Sequence, residues 1–384
     1  MDLIVAFEAL DSFEVLFGVG DGNFTKDHRR YFTIRHASLS SIAVGDINHD
    51  RSLDLVLTYS GINQIGIFLG SSNGSFHLWT TISTGNARPV WVTITDFNDD
   101  QHNDIGIVNH GYESITVLYG NGSVLSEKRT IQWTGFDSLP SAIIAADMNA
   151  DGQTDIVIAN AGTNNIAILF RNNDSTLQDP VIYSTGFDSK PYSLVAGYFN
   201  DDRFLDLAVA NQGSRDIVIL FGSMDGILYE HERYSLGNNT PYMILLADFN
   251  KDGINDLVVS NVGEQSVGFL SGHRTETFDK PLMYTTNSRS KLSMAIGDFN
   301  HDDQLDLISV GYDTNNLEVL FWGYRLFQGQ TTYSTGFRPS STVVADLNGD
   351  KSLDIVVADS GDKTISIFFG DGQGNFKATN FSRR

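Results

Sequence analysis

The sequence predicts an all-β fold, a β-propeller made of four-stranded blades of about 50 residues each. Three observations lead to this prediction. An acidic nine-residue loop recurs at intervals of 48 to 51 residues along the chain. The same four strand-like segments surround each copy of the loop, and none has the apolar period of a helix. The chain also contains 36 Gly, and strand-forming residues dominate between the glycines.

Each repeat begins with two strands, a and b, which flank the acidic loop. Strand a precedes the loop, as at Trp91–Thr95. A proline such as Pro89 often opens it, because the first residue of a strand tolerates the missing N–H. Strand b follows the last Asp of the loop. Its nearly continuous apolar sequence, as at Leu257–Ser260, is typical of a strand buried between neighbouring blades.

Strands c and d complete the repeat. An Asn/Gly turn leads to strand c, as at Ile115–Tyr119, and a Gly-rich turn such as Gly370–Gly374 follows it. Strand d, as at Val181–Ser184, is more polar and aromatic, as we expect of an outer edge strand. Strand alternation places the a–b loops and c–d turns on one face of the ring, which we call the loop face. The b–c and d–a loops lie on the other face, which we call the second face.

The loop from Asp248 to Asp256 illustrates why the repeat indicates a bound cation. Side-chain oxygens occupy positions 1, 3, 5 and 9, and position 7 offers a backbone carbonyl. Calcium takes about six to eight oxygen ligands in flexible geometry, whereas without a cation the crowded carboxylates repel one another. The competing interpretation is an Asx-rich turn without metal, because Asp and Asn side chains cap turns themselves. Recurrence of the four oxygens in fixed register favours calcium.

Six of the seven loops contain all four side-chain ligands. The complete sets are Asp46/Asn48/Asp50/Asp54, Asp96/Asn98/Asp100/Asp104, Asp147/Asn149/Asp151/Asp155, Asp248/Asn250/Asp252/Asp256, Asp298/Asn300/Asp302/Asp306 and Asp346/Asn348/Asp350/Asp354. In the fourth loop Tyr198 occupies position 1 and leaves Asn200, Asp202 and Asp206, so we expect this site to be the weakest or empty. We predict about six to seven calcium ions, bound with the weak affinity of extracellular modules, roughly 10⁻⁴–10⁻³ M.

The ends of the chain bear on the number of blades. Asp2–Phe7 matches strand b and Phe13–Gly18 matches strand c, so the chain begins inside a repeat. We therefore assign residues 1–24 to a partial repeat, the end of a truncated or additional blade, and residues 25–384 to the propeller. We also expect an N-terminally truncated gene product. We favour seven blades, with an early strand d at about Tyr31–Arg35 pairing with the final a–b–c set, and keep eight blades as the alternative.

These recurring segments resemble a known family. The acidic loop, the strand Asp256–Asn261 (DLVVSN) and the turn Leu16–Phe24 (LFGVGDGNF) are similar to FG-GAP/VCBS repeats. Such repeats form the blades of integrin α-subunit propellers and of many secreted adhesion proteins. The resemblance extends from Asp2 to Phe376. It implies structural calcium in the a–b loops and an extracellular binding or adhesion module.

Composition and charge exclude several classes of function. The net charge of −22 argues against binding to nucleic acid or to anionic membranes, because both require clustered Lys and Arg. The chain has no Cys, and no apolar run approaches the ~20 residues that span a bilayer. We expect no membrane insertion and a monomer. We also expect a secreted protein or the ectodomain of a larger one, with no signal peptide in this chain.

The second face is the expected ligand surface. Aromatic residues on loops stack on sugars or anchor protein partners, so we predict a protein or glycan ligand there. The competing interpretation is that a repeated aromatic residue packs between blades. The residues expected on this face are Phe136, Phe187, Phe337, Tyr192, Tyr242, Arg88 and Arg338. Glycosylation sequons, which predict a glycoprotein if the chain is secreted, occur at Asn23, Asn73, Asn121, Asn173, Asn238 and Asn380.

No catalytic motif is present, so we expect no enzymatic activity. The sequence contains no H-E-x-x-H, G-x-S-x-G or P-loop motif. His49, His102 and His301 occupy loop positions at which no side-chain ligand is needed. The leading hypothesis is a calcium-binding adhesion or interaction module. A lectin-like propeller that binds glycans, and a calcium-dependent polysaccharide lyase or hydrolase, stay open as alternatives because fold alone does not settle function.

Overall fold

The chain is built from antiparallel β-strands. The computed structural model describes residues 2–7, 11–21, 23–25, 29–123, 125–172, 176–200, 202–263, 265–274, 277–288, 292–324 and 326–381. Within these ranges the regular elements are strands. No helix of the described chain has the length and apolar character needed to cross a membrane.

Within the described residues, eight of the sheets are the blades of a ring. Blade 1 has three strands: β1 (Leu3–Phe7), β2 (Ser12–Leu16) and β3 (Arg29–Phe32). Blades 2 to 8 have four strands each, a to d in chain order, and blade 1 corresponds to b, c and d. Blades 2 to 4 are β4 (Leu39–Gly45), β5 (Asp54–Tyr59), β6 (Gln64–Gly70), β7 (Phe76–Ser83); β8 (Pro89–Thr95), β9 (Asp104–Asn109), β10 (Ser114–Gly120), β11 (Leu125–Trp133); β12 (Pro140–Ala146), β13 (Asp155–Asn160), β14 (Asn165–Leu169), β15 (Val181–Ser184).

The remaining blades repeat the same order. Blades 5 and 6 are β16 (Pro191–Gly197), β17 (Asp206–Asn211), β18 (Asp216–Phe221), β19 (Tyr229–Ser235); β20 (Thr240–Ala247), β21 (Asp256–Val262), β22 (Ser266–Leu270), β25 (Leu282–Thr285). A small hairpin, β23 (Gly272–His273) and β24 (Thr277–Phe278), follows strand c of blade 6. Blades 7 and 8 are β26 (Leu292–Gly297), β27 (Asp306–Gly311), β28 (Asn316–Gly323), β29 (Leu326–Ser334); β30 (Pro339–Ala345), β31 (Asp354–Asp359), β32 (Thr364–Gly370), β33 (Phe376–Phe381).

Strand a is the innermost strand, because the a strands of most successive blades contact one another. Serine hydroxyls near the start of strand a cross from blade to blade. Ser40 Oγ donates to the Pro89 carbonyl at 3.0 Å, and Ser141 Oγ donates to the Pro191 carbonyl at 2.8 Å. These bonds satisfy polar groups at the centre of the ring without extending one sheet into the next.

The apolar core is divided among the interfaces between blades. Strands b and c are buried along their length, as at Asp206–Asn211 and Asp216–Phe221, so their two faces pack against the preceding and following blades. Val5 and Leu16 of blade 1 pack with Val356 and Ile367 of blade 8, and this contact closes the ring. Position 2 of every a–b loop adds a buried side chain to these interfaces: Ile47, Phe97, Met148, Phe199, Phe249, Phe299 and Leu347.

The prediction of four-stranded blades is confirmed, but the prediction of seven blades is wrong, since the ring has eight. The strand d expected at about Tyr31–Arg35 does not pair with the final sheet. Instead it forms at Arg29–Phe32 and pairs with blade 1, where the Tyr31 ring stacks on Phe13 at 4.8 Å. The final sheet has its own strand d, Phe376–Phe381. Strands from both sides of residue 24 thus belong to one sheet.

The buried aromatic residue at position 2 of the loop provides a test of this core. Phe249 packs against Trp322 and Phe327, with ring centroids 5.5 Å apart in both pairs. We expect Phe249→Ala to lower the free energy of unfolding by about 3–5 kcal/mol, because it leaves a cavity between blades 6 and 7. The control is Phe187→Ala, since the Phe187 side chain is fully exposed. Denaturant midpoints that are equal for the two variants would contradict the assignment of Phe249 to the core.

Candidate functional site

The a–b loops share one hydrogen-bonded geometry, which the first loop illustrates. The two carboxylate oxygens of Asp46 accept the amides of Asp50 at 3.2 Å and Arg51 at 2.9 Å. The Asn48 side-chain oxygen also accepts the Asp50 amide, at 3.1 Å, and Asp50 Oδ1 accepts the Ser52 amide at 2.7 Å. Positions 1, 3 and 5 therefore fold around one short stretch of backbone.

The other complete loops repeat this geometry with small changes in partner. The position-3 amide oxygen accepts the backbone amide of position 5, and the position-5 carboxylate accepts the amide of position 7. The position-1 carboxylate accepts the amides of position 6 and of position 4 or 5. The predicted side chains that lie together in this way are Asp96, Asn98 and Asp100; Asp147, Asn149 and Asp151; Asp248, Asn250 and Asp252; Asp298, Asn300 and Asp302; and Asp346, Asn348 and Asp350.

The backbone of the loop bends sharply at position 6. Five of the seven loops have a residue other than Gly there, and each adopts a positive φ between 64° and 74°. Two loops have Gly152 or Gly253, both at φ 83°. L-residues pay about 1 kcal/mol or more for this conformation. In the six complete loops the position-6 amide donates to the position-1 carboxylate, whereas Arg203 adopts the conformation without that bond. The five non-glycine residues are Arg51, Gln101, Arg203, Asp303 and Lys351.

The Asp at position 9 is the most deeply buried member of each loop. Its Oδ2 accepts the amide of position 2, and its Oδ1 accepts an amide 16 residues later, at the end of strand c. In the first loop these bonds link Asp54 to Ile47 and Gly70, both at 2.8 Å. All seven position-9 carboxylates are 0% exposed and make the same pair of bonds: Asp54, Asp104, Asp155, Asp206, Asp256, Asp306 and Asp354.

Burial makes the charge on these groups costly. It raises the pKa of Asp104 to about 7, against two backbone hydrogen bonds that lower it. The negative charges of Asp100 and Asp96 in the same loop raise it further. Burial likewise raises the pKa of Asp155, Asp206, Asp256 and Asp306 to about 6, and raises that of Asp54 and Asp354.

The expected ligand sets of three carboxylates and one Asn oxygen per complete loop stay predictions. Within the described chain, His, Asp and Glu side chains alone form no three-membered metal group. In the first loop the oxygens at positions 1, 3 and 5 accept amides of their own loop. The position-3 and position-5 side chains for which a role as calcium ligand thus stays a prediction are Asn48, Asp50, Asn98, Asp100, Asn149, Asp151, Asn250, Asp252, Asn300, Asp302, Asn348 and Asp350.

The donor set of the complete loops nevertheless fits a hard divalent cation. The available ligands are carboxylate, amide and carbonyl oxygens, with no nitrogen or sulfur, which is the set that calcium prefers. Each carboxylate oxygen that accepts one amide keeps a further lone pair. Because the acidic side chains alone form no metal group, a cation here would also need the Asn oxygen at position 3 and the carbonyl at position 7.

The fourth loop keeps only part of this geometry. Tyr198 at position 1 is half exposed and has no carboxylate to accept the amides of positions 5 and 6. Asn200 still donates to Asp202 at 2.9 Å, and Asp206 keeps both of its amide bonds. Residue 201 at position 4 lies outside the described residues. The reduced donor set agrees with the expectation that this site is the weakest, which stays a prediction.

The second face presents the expected aromatic residues to solvent. Phe136, Phe187 and Phe337, at equivalent places in three d–a loops, are 75%, 100% and 47% exposed. Tyr192 and Tyr242, in contrast, pack on each other with ring centroids 5.0 Å apart. The three phenylalanines are therefore too exposed to serve mainly as packing between blades.

Cationic residues occupy a strained position beside these aromatics. Arg88, Lys190 and Arg338 each precede the proline that opens strand a, with φ of 47°, 48° and 54°. Their amides donate to the side-chain oxygens of Asn63, Asn164 and Asn315 at 2.9, 3.0 and 2.8 Å, respectively. The Arg338 guanidinium also lies 5.1 Å from the Phe337 ring centroid. Sequence reasoning missed Lys190, although its place before Pro191 matches that of the two arginines.

A further buried polar position lies at the end of strand b, on the side of the second face. The residues there are Asn109, Asn160, Asn211, Asn261 and Asp359. In blade 8, Asp359 Oδ2 accepts a hydrogen bond from Ser366 Oγ at 2.6 Å. Burial raises the pKa of Asp359 to about 6, and this effect outweighs the hydrogen bond from Ser366. Sequence reasoning missed this carboxyl, although the Asp that replaces the last Asn of the strand motif is a visible signal.

Comparison with known proteins identifies the repeats and the fold. A family model described as FG-GAP-like repeat matches residues 96–158, 147–209, 198–259, 248–309 and 298–357. No functionally curated protein matches the chain. The periplasmic gluconolactonase of Pseudomonas aeruginosa is similar in structure, with a TM-score of 0.59 and 13% identity over 87% of this chain and 96% of that one.

Two other solved structures show the same fold. A virginiamycin B lyase from Staphylococcus aureus has a TM-score of 0.55 and 13% identity, over 85% of this chain and 93% of that chain. The dihydro-heme d1 dehydrogenase NirN has a TM-score of 0.64 and 12% identity, over 99% of this chain and 73% of that chain. Identity at this level shows a shared fold.

These comparisons correct the expectation that the chain has no enzymatic activity. Propellers of similar architecture are named as a gluconolactonase, a lyase and a dehydrogenase. The expectation relied on the lack of H-E-x-x-H, G-x-S-x-G and P-loop motifs. Because the fold itself serves as an enzyme scaffold, the lack of those motifs is no ground for excluding catalysis.

The raised pKa of Asp359 predicts a pH-dependent stability. The folded state holds this proton up to about pH 6, whereas the unfolded chain releases it near pH 4. The contribution of Asp359 to stability is therefore present below pH 4 and lost as the pH rises through 6. We expect Asp359→Asn to raise the melting temperature at pH 7.5 by roughly 1–3 °C and to have little effect at pH 4. The control is Asp137→Asn at an exposed loop position, and equal shifts for both variants would refute the prediction.

Proposed function

Because this chain belongs to the FG-GAP-like repeat family, we propose that it is a calcium-stabilised propeller that binds a glycan on its second face. The observation that carries the ligand-binding part of the proposal is the exposure of Phe136, Phe187 and Phe337 at one repeated loop position. Aromatic residues on exposed loops stack on sugars or anchor protein partners. The proposed compartment is extracellular.

Calcium is proposed for the six complete a–b loops. Their carboxylates at positions 1, 5 and 9 surround a short stretch of backbone and carry like charges, which a divalent cation would neutralise. Bound calcium would supply structural bracing between strands a and b. The position-9 carboxylate already holds the end of strand c, so the loop and the c–d turn would be stabilised together.

A glycan suits the second face better than a nucleic acid or an anionic membrane. Phe187 and Phe337 offer flat apolar surfaces, and Arg338 beside Phe337 offers a donor for hydroxyl or carboxylate groups. The net charge of −22 argues against nucleic acid, which requires clustered positive charge. Adhesion to a protein partner would use the same aromatic residues, and it becomes the better explanation if no glycan binds.

An extracellular location is supported by two features. Weak calcium sites are useful where calcium is abundant, as it is outside cells. Asn23, Asn73, Asn121 and Asn238 of the sequons are exposed, as acceptors of carbohydrate must be. Asn173 and the side chain of Asn380 lie outside the described residues.

Lactone hydrolysis is a second candidate function. It is favoured by the fold shared with the periplasmic gluconolactonase over 87% of this chain. A ring-opening reaction on a sugar lactone and the binding of a glycan would both use a surface that recognises sugar hydroxyls. Release of gluconate from gluconolactone above the uncatalysed rate would support this candidate, and a rate equal to that of buffer would remove it.

Calcium binding is tested by thermal unfolding in about 2–5 mM calcium and in excess chelator. A site at ten times its Kd adds about 1.4 kcal/mol, so six sites together should raise the melting temperature by several degrees. Tyr198→Asp restores the fourth donor set and should add one ion per chain in a calorimetric titration. The control is Tyr324→Asp, at an exposed tyrosine on the same face outside any a–b loop. Equal melting temperatures with calcium and with chelator would contradict the proposal that the loops bind calcium.

Ligand binding is tested on a glycan array with the calcium-loaded protein. We expect a restricted set of glycans to bind, and Phe187→Ala combined with Phe337→Ala to weaken that binding at least about tenfold. Tyr324→Ala is the control, because this exposed aromatic residue lies on the loop face. An empty array would contradict the glycan proposal, and so would equal losses in the double variant and the control.

A further inference from the structure

A tyrosine of strand d recurs at one register position in five of the eight blades. It faces the second residue of strand c, as Tyr183 faces Ile166 and Tyr234 faces Ile217. Tyr31, Tyr284 and Tyr333 take the same place opposite Phe13, Val267 and Leu317. In blade 2 the residue at this position is Ile82, opposite Ile65.

The tyrosine seals the interface with the following blade. In four blades its hydroxyl accepts the backbone amide of a phenylalanine in the following blade, as Tyr333 does from Phe376 at 3.2 Å and Tyr284 from Phe327 at 3.3 Å. The two rings of each pair also meet edge to face, at 5.6 Å and 5.2 Å. The phenol ring thus fills the space between two blades, and its oxygen ties them together.

The interface between blades 2 and 3 has lost both members of this pair. Ile82 stands in place of the tyrosine. Leu125, which pairs with Gly120 as Phe76 pairs with Gly70, stands in place of the phenylalanine. Among the described side chains, the hydrophobic cluster at this interface is entirely aliphatic. Two aromatic rings are therefore replaced by smaller side chains at one place.

A cavity of about 470 Å³ lies at this interface. Ile82, Ala87, Ile107 and Leu118 provide its apolar walls, and the exposed Ile131 and Tyr112 stand at its rim. Pockets for small ligands typically have volumes of about 300–1,000 Å³ and mostly apolar walls. The cavity lies against Ile82 and Leu118. It therefore occupies the place that the tyrosine ring fills at other interfaces.

The cavity also has a small polar wall. The hydroxyl oxygens of Ser114 and Thr116, whose residues are 4% and 6% exposed, accept the Asn109 side-chain amide at 3.4 and 3.0 Å. Each hydroxyl keeps its own proton for donation. The described residues that line the cavity carry no charge, so the site selects a neutral ligand with an oxygen acceptor.

We propose that this cavity binds a small neutral phenol. The template is internal, because a tyrosine phenol ring fills the corresponding space at five other interfaces. The ring would contact Ile82, Leu118 and Ile131, and its oxygen would accept a hydrogen bond from Ser114 or Thr116. This site is separate from the a–b loops and from the exposed phenylalanines of the second face.

The test is a calorimetric titration of the full chain with 4-methylphenol, which is the tyrosine side chain as a free molecule. We expect saturable binding with one site and a Kd of roughly 0.1–1 mM. Ile82→Tyr places the missing ring in the cavity and should weaken binding at least tenfold. The matched control is Ile182→Tyr, at a half-exposed residue of strand d in blade 4, which should leave binding unchanged.

A second variant tests the proposal even if Ile82→Tyr does not fold. Thr116→Val keeps the shape of the side chain and removes its hydroxyl, so it should weaken 4-methylphenol binding about three- to tenfold. Toluene, which lacks the oxygen, should bind the wild type and this variant equally. The absence of saturable binding to the wild type at 5 mM 4-methylphenol, a value about five times the weakest expected Kd, would overturn the proposal. So would equal binding to wild type and folded Ile82→Tyr.

Discussion

The buried carboxylate at position 9 of the a–b loop is the contact on which each four-stranded blade depends. It joins the amide at the start of the loop to an amide at the end of strand c, 16 residues later, in all seven of these blades. Charge-assisted bonds contribute about 1.5–3 kcal/mol each, whereas removing a carboxylate from water costs several kcal/mol. The raised pKa of Asp104 indicates that burial is the larger effect. The contact therefore fixes geometry at a cost that a nearby cation would offset.

The same contact explains the glycine at the end of strand c. A Cβ atom on Gly70 would lie 2.1 Å from the Leu53 carbonyl oxygen, so a side chain there would force the strand away from the loop. Blades 4 and 7 meet the requirement differently, because Arg171 and Trp322 take this place. The Arg171 Nε also donates to the Thr154 carbonyl at 3.0 Å. The Gly-rich turn after strand c is thus a consequence of the loop that precedes strand b.

The sequence was informative wherever a local pattern determines the structure. The loop spacing and the apolar segments located strands a to d, since these depend on neighbours within one repeat. The blade count depended instead on which sheet the strand at Arg29–Phe32 joins, and the stacking of Tyr31 on Phe13 decides that. Likewise, the recurring d–a segment Thr185–Phe187 placed Phe187 on a loop but left open whether it is buried or exposed. Predicting the cavity beside Ile82 requires the strand register of several blades, which the sequence of a single repeat does not give.

The core is divided among separate interfaces between blades. One ring can therefore combine repeated interfaces with one interface that differs from the others. Within the described residues each blade pairs only its own strands, and the ring closes between blades 8 and 1 by side-chain packing. A change at one interface is therefore felt mainly by the two blades that meet there. Ile82 and Leu125 remove an aromatic pair between blades 2 and 3, while Tyr333 and Phe376 keep the equivalent pair between blades 7 and 8. Because the bonds of the position-9 carboxylate are repeated in every four-stranded blade, the architecture tolerates a cavity at one interface and exposed aromatic residues on three loops of the second face.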